Sequence, residues 1–129
     1  MANLNVILDG KLESSGLVFT PDPQTRLVDT IYQNTSSCDK LISASIAFAA
    51  VAAGSATTEA FSDANTPPVT LKATIAVTAI ATSAALETKQ IVFVCKAGHY
   101  YQLVTTLVGI GTTAAIVGQT QEDALGLLT

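Results

Sequence analysis

The chain has 129 residues, 49% of them hydrophobic and only 12% charged, with a formal net charge of −4 at pH 7. A single domain of this length buries roughly two-thirds of the surface its unfolded form exposes, so it needs neither a metal nor a disulfide staple to fold. Six Lys and Arg residues spread thinly along the chain argue against a phosphate-tracking surface and nucleic acid as a partner, while charge at half the usual level of about 25% suits a subunit that buries surface against copies or neighbours.

In chain order, Leu4, Val6 and Leu8 alternate ahead of the turn pair Asp9-Gly10. Lys11 to Phe19 continues the segment with Gly16 inside it, and Thr20-Pro21-Asp22-Pro23-Gln24 ends it. Asp-Gly between alternating apolar residues favours a small hairpin, and the two prolines oppose continuous pairing into the next strand. Residues 1–25 therefore read either as an arm lying on a neighbouring subunit or as an edge hairpin of the same domain, with Leu4, Val6 and Leu8 as candidate interface residues; residues 26–129 form the main domain. The opening MANLNVILDG places Asn and Asp where a secretory signal needs an apolar core, so synthesis in a cytoplasm is expected.

From Arg26 to Gln33 the sequence alternates, and Asn34-Thr35-Ser36-Ser37 is a turn. Leu41 to Val51 has period two, with Ile42, Ala44, Ile46 and Phe48 set against Ser43, Ser45 and Ala47, the pattern of a half-buried strand. The alanines of Ala47 to Ala53 keep a short soluble helix open as an alternative. The uncharged run Leu41–Thr58 is rich in Ser and Thr, ends its apolar part at Gly54 and lacks flanking basic clusters, which argues against a membrane span. Ala56 to Phe61 follows, then a loop over residues 62–68, then the longest alternating run, Val69 to Thr82, with a Thr-rich face. Gln90–Cys95 and Tyr100–Val108 flank Lys96-Ala97-Gly98-His99, which reads as a β-hairpin turning at Gly98 and forming the centre of the domain. Gly109-Ile110-Gly111 breaks that strand, Thr112 to Val117 reads as a last strand, and Gln121–Leu128 as one helical turn or a frayed end. Seven or eight short strands with turns between them predict an all-β protein, a single jelly-roll-like β-sandwich.

The candidate chemistry is sparse. The single histidine, His99, sits in a turn with no nucleophile and base spaced beside it, and Asp29, Glu59, Asp63 and Glu87 are scattered. Gly109-Ile110-Gly111 lacks the third glycine and the lysine of a phosphate loop. Neither an enzymatic activity nor a cofactor or metal site is expected. Cys38 and Cys95 lie too far apart for a metal knuckle; two buried free thiols are favoured, with a disulfide left open. Asn34-Thr35-Ser36 matches a glycosylation sequon by chance. Tyr100 and Tyr101, being adjacent on a strand, point to opposite faces. One ring should enter the core and the other stand outside, as sheet cover or as an interface anchor or sugar-stacking platform.

Tyr32-Gln33-Asn34-Thr35, followed later by Ile91-Val92-Phe93-Val94-Cys95-Lys96-Ala97-Gly98-His99-Tyr100-Tyr101, resembles a loose family of small β-sandwich virion proteins of tailed bacteriophages. Members of that family carry Tyr-x-Asn-Thr-Gly before a polar turn and later an apolar strand, Val-Pro-Pro-Gly and a Tyr-containing strand. Here Ser36 stands in place of the glycine and Lys96-Ala97 in place of the prolines, over a resemblance that spans residues 26–108. It implies a virion subunit made in a host cytoplasm. Such a subunit would be a capsid decoration or cement protein, or else a fibre or tail domain that binds a receptor or glycan. Its expected partners are the major capsid protein or other virion subunits and copies of itself, most often as a homotrimer.

Overall fold

A computed structural model describes residues 17–127 of the chain. Ten strands are present among them: β1 (Leu17–Thr20), β2 (Pro23–Gln24), β3 (Ile31–Gln33), β4 (Lys40–Ala50), β5 (Ser55–Asp63), β6 (Leu71–Thr78), β7 (Ala85–Cys95), β8 (Tyr100–Val108), β9 (Thr113–Ile116) and β10 (Thr120–Leu127). Two antiparallel sheets pack face to face. One runs β1-β10-β4-β7, with β2 also on β10 and β9 also on β4; the other runs β3-β8-β5-β6. Setting aside the short β2 and β9, the eight remaining strands fall in the orders 1-8-3-6 and 2-7-4-5, the strand order of a jelly roll. The all-β sandwich expected from the strand pattern is the fold of the chain.

The alternation of β4 and β5 builds the core. Ile42, Ala44, Ile46, Phe48 and Ala50 face inward from β4, opposite Ala56, Thr58, Ala60 and Ser62 of β5. Ile91, Phe93 and Cys95 of β7 and Tyr101 and Leu103 of β8 close the space between the sheets. Burying each large side chain stabilises the fold by roughly 1.5–3 kcal/mol. The small residues on β5 let the sheets approach around Phe48, whose ring is fully buried. The helix kept open for Ala47 to Ala53 does not form, because Lys40–Ala50 pairs with β7 over eleven residues.

The central hairpin does not exist as a hairpin. β7 hydrogen-bonds to β4 in one sheet, and β8 hydrogen-bonds to β5 and β3 in the other, so Lys96–His99 carries the chain across the sandwich. The turn itself is where the sequence puts it. Gly98 has φ +79°, and the His99 amide donates to the Lys96 carbonyl at 3.0 Å. What differs is the strands' partners: both edges of β8 are occupied, and the turn binds elsewhere, with Gly98 N–H on the Asn34 carbonyl and Ala97 N–H on Asp39 Oδ1. Among the described residues only one pair of strands consecutive in the chain, β5 and β6, is hydrogen-bonded.

Other boundaries shift for local reasons. The strand expected from Arg26 begins only at Ile31, because Asp29 takes φ +56° and its carboxylate accepts the Thr105 amide and hydroxyl at 2.8 and 2.6 Å. Val69–Thr82 contracts to Leu71–Thr78, leaving Val69 and Ile80 exposed in loops. Of Gln121–Leu128, expected as a helical turn or frayed end, residues 121–127 lie within β10, which is held between β1 and β4, and Leu128 lies outside the described residues. The sandwich also reaches further toward the N-terminus than Arg26, since β1 and β2 both pair with β10. The readings of residues 1–16, the Asp9-Gly10 turn among them, lie outside the described residues.

Candidate functional site

The connections alternate between the two ends of the sandwich and divide it chemically. At one end lie Val51–Gly54, Ala79–Ala84 and Gly109–Thr112, none of which contains a charged residue. They are bonded into one surface. Ala53 N–H donates to the Ile80 carbonyl, Ala79 N–H to the Gly54 carbonyl, and Val51 N–H to Thr112 Oγ1. Gly54 packs so closely there that a Cβ would come within 2.7 Å of the Val108 carbonyl oxygen. Ile110 is 100% exposed, Leu86 84% and Ile80 67%. Beside them an apolar groove of about 260 Å³ runs between Val51, Ala84, Leu86 and Gly111.

The uncharged surface continues onto the outer face of the β4 sheet along β4, β7 and β9, up to Asp123 of β10 beside Leu41. Leu41, Ser43, Ser45, Ala47 and Ala49 lie opposite Val94, Val92, Gln90, Thr88 and Leu86 of β7, and Thr113 and Ala115 of β9 extend the row. Small hydroxyl and methyl side chains make this face flat. Val92 and Val94 stand exposed on it.

Of the candidate interface residues, Leu4, Val6 and Leu8 lie outside the described residues. Tyr100 is half-buried on the outer face of the second sheet, opposite Gln33 and Asp63. Tyr101 points inward, 1% exposed, so the two rings divide between core and surface as their adjacency requires, and it is Tyr101 that offers no surface to a partner. Its hydroxyl donates to Glu122 Oε2. Burial, followed by the Glu122 carboxylate, pushes the Tyr101 phenol well above the ordinary tyrosine range.

Glu122 is the residue that sequence reasoning missed. It faces the core from β10, 2% exposed, where Arg26 Nε donates to Oε2 at 2.7 Å and Nη2 to Oε1 at 3.2 Å. Lys40 Nζ stands 3.8 Å from Oε1 and 3.3 Å from Asp22 Oδ2. The Arg26 guanidinium lies 4.3 Å over the Tyr32 ring, whose hydroxyl accepts the Leu27 amide at 2.8 Å. Hydrogen bonds from Gln24 and then Lys40 hold the Asp22 carboxyl below its usual range, and the bond to Glu122 raises the Arg26 guanidinium further. Every member is matched by a neighbour of opposite sign or by a donor, which makes this a structural clasp. It fastens residues 22–27 to β4, β8 and β10. A cue existed in the sequence, an acidic pair, Glu122-Asp123, in a chain with few charges, but nothing there shows which cation meets Glu122.

Asn34, picked out within the Tyr32–Thr35 motif, is also buried. Its Nδ2 donates to the Cys38 and Cys95 carbonyls at 2.8 and 3.0 Å and its Oδ1 accepts from Ser36, so it fastens the loop after β3 to the end of β7. Both cysteines are free. Burial pushes the Cys95 thiol up, making it a packed thiol and a poor nucleophile. Among the described residues no group of His, Cys, Asp and Glu side chains is placed to hold a metal, and no helix is long and apolar enough to cross a membrane.

The sequence matches no family model, and comparison with curated proteins and with solved structures likewise returned no match. The class defined by fold and surface is a jelly-roll sandwich with one uncharged end and, on the β4 sheet, a flat outer face whose β4, β7 and β9 rows carry no charge.

Proposed function

We propose that the chain is a virion structural protein, a decoration or cement subunit that acts by contact and not by catalysis. It stabilises an assembled shell through shape-complementary contacts with the major capsid protein or other shell subunits, and clusters as a homotrimer. The observation that carries this reading is the uncharged end, where Ile80, Leu86 and Ile110 stand in water around an apolar groove. Contiguous apolar surface of this kind is stable in solution only when small or covered. Jelly rolls serve in capsid and in lectin domains, so the fold is compatible with the role without specifying it. The fibre or glycan-binding alternative draws on an exposed aromatic platform; here Tyr101 is in the core and Arg26 covers the Tyr32 ring, which leaves the half-buried Tyr100 as its one candidate among the three.

The test is co-sedimentation of the purified protein with shells that lack it, alongside light scattering of the free protein. Wild type should pellet with shells, and Ile110→Asp combined with Leu86→Asp should abolish binding or oligomerisation while the chain stays folded. Wild type that remains a monomer and never pellets with shells overturns the proposal. The contribution of an N-terminal arm is tested by removing residues 1–16; removing 1–23 would also delete β1 and the Pro23 rung of β2.

A further inference from the structure

Charged residues lie at the opposite end of the sandwich, and one concavity there gathers two lysines, an aspartate and the histidine. A cleft of about 140 Å³ opens between β5, β6 and the β7–β8 turn, with Lys72, Lys96, His99, Ser62, Thr70 and Asp63 around it. Two of the chain's six Lys and Arg residues and its single histidine thus meet at one site, in a protein whose net charge is −4.

The acid in the cleft is already committed. Asp63 Oδ1 accepts the Asn65 amide, and Oδ2 accepts the Val69 and Thr70 amides, each at 2.8 Å. The Ser62 hydroxyl donates to the Tyr100 carbonyl at 2.8 Å. Among the described residues neither Lys72 nor Lys96 forms an ion pair, whereas Arg26 and Lys40 are paired with Glu122 and Asp22. The cleft therefore presents a surplus of positive charge, with lysine ammonium and imidazole donors and a carboxylate most of whose acceptor sites are taken by backbone amides.

The backbone aims these groups at the cleft. The β5–β6 register shifts between Ala60, opposite Ala73, and Phe61, opposite Leu71, so Lys72 is the extra residue of a bulge. Bulges turn a side chain away from the strand's regular alternation, and they recur beside binding sites. Lys96 and His99 are the first and last residues of the tight turn, which is pinned at Ala97 by Asp39 and at Gly98 by Asn34. Two ammonium groups and one carboxylate around a hollow leave a net positive charge that an added anion would offset.

We propose that this cleft binds one small oxyanion, with Lys72 and Lys96 as the charged donors and His99 as a third. Its volume equals that of roughly four or five waters at about 30 Å³ each, which admits a phosphate, sulfate or carboxylate group and excludes a nucleotide. The oxyanion is either free in solution or carried on a partner's acidic side chain.

The experiment titrates the full chain with inorganic phosphate, sulfate and acetate at matched ionic strength, with chloride as control, following backbone amide NMR shifts. Saturable shifts confined to Thr70–Lys72 and Lys96–Tyr100, absent with chloride, are expected. Lys72→Gln and Lys96→Gln should each weaken binding about tenfold, in keeping with the strength of charge-assisted hydrogen bonds. Lys89→Gln, an equal change of charge outside the cleft, should leave the affinity unaltered. Phosphate and sulfate binding without acetate identifies a free tetrahedral anion, and acetate binding of similar strength identifies a carboxylate; either supports the site. Shifts that never saturate, that chloride reproduces, or that survive both lysine substitutions overturn it.

Discussion

Replacing Glu122 by Gln tests whether the buried clasp holds the sandwich closed. The substitution preserves shape and one acceptor oxygen but removes the charge facing Arg26 and Lys40, whose side chains are only 20% and 12% exposed. Breaking a buried ion pair from one side costs about 3–5 kcal/mol, because the surviving charge stays desolvated. Arg26 keeps some access to water, which places the expected loss near the lower bound, about 3 kcal/mol. For a domain of this size each kcal/mol moves the melting temperature by about 3–5 °C, so E122Q should melt about 10–15 °C below wild type. The double variant Arg26→Met with Glu122→Leu removes both partners and should recover most of the loss, since a packed apolar pair often equals a buried ion pair. Calorimetry and urea unfolding of the three proteins decide it. An E122Q melting temperature within about 3 °C of wild type, or a double variant weaker than E122Q, would refute the reasoning.

Tyr101 sets the alkaline limit of the fold. Its phenol is held above the ordinary range of about 10, so the unfolded chain releases this proton first and stability falls as pH rises past about 10, by up to about 1.4 kcal/mol per pH unit. Urea unfolding between pH 9 and 11 should show that slope, and Tyr101→Phe should flatten it. Asp63 behaves in the opposite sense. Burial raises its carboxyl, but bonds from the Val69, Asn65 and Thr70 amides outweigh this and hold it well below the usual carboxylate range. The stability it confers is present above about pH 4 and lost as pH falls further. Asp63→Ala should speed hydrogen exchange at Val69 and Thr70 while leaving the core strands protected. Gly54→Ala should cost more than Gly98→Ala, because a Cβ at Gly54 meets the Val108 carbonyl oxygen at 2.7 Å, whereas at Gly98 nothing lies within 4 Å. The expected losses in urea unfolding are roughly 2–3 kcal/mol for overpacking at Gly54 and roughly 1–2 kcal/mol for the left-handed conformation at Gly98.

Period-two alternation made the elements legible, because it is written into each strand independently of its neighbours. Ile42 to Phe48 alternates in the sequence as it does in the core, whereas Ile91 to Cys95 is apolar throughout and was legible as a strand from its β-branched and aromatic residues. The turn at Gly98 was legible for the same local reason. Pairing was not. Nothing in Lys96–His99 states whether the strands it joins share a sheet, and in a jelly roll most connections cross between sheets. β10 was obscured because its inward position holds a glutamate, whose burial makes sense only beside Arg26 and Lys40, about 80 to 100 residues earlier in the chain. The surface was partly legible, since the scarcity of charge implied a covered subunit. The gathering of uncharged loops at one end and lysines at the other depends on chain direction through the sandwich, which composition does not carry.

That segregation also limits how copies could meet. Sheet edges are where β proteins associate by adding strands, and the edges at β3, β6, β7 and β9 are obstructed. β3 and β9 are only three and four residues long, and β6 carries the Lys72 bulge. β7 is long, yet Glu87 and Lys89 lie on its inward side, in register with Phe48 and Ile46, so an added strand extending the sheet would cover two charges. With strand addition disfavoured, the low-cost surfaces for association are the uncharged end and the flat outer face of the β4 sheet. The uncharged end can meet a partner without desolvating an ion, and on the flat face the β4–β7–β9 rows can do so as long as Asp123, beside Leu41, stays at the rim. Charge placed on them should therefore disperse an assembly that charge removed from the edges would leave intact. Ile110→Asp against Glu87→Gln, compared by light scattering, makes that distinction directly.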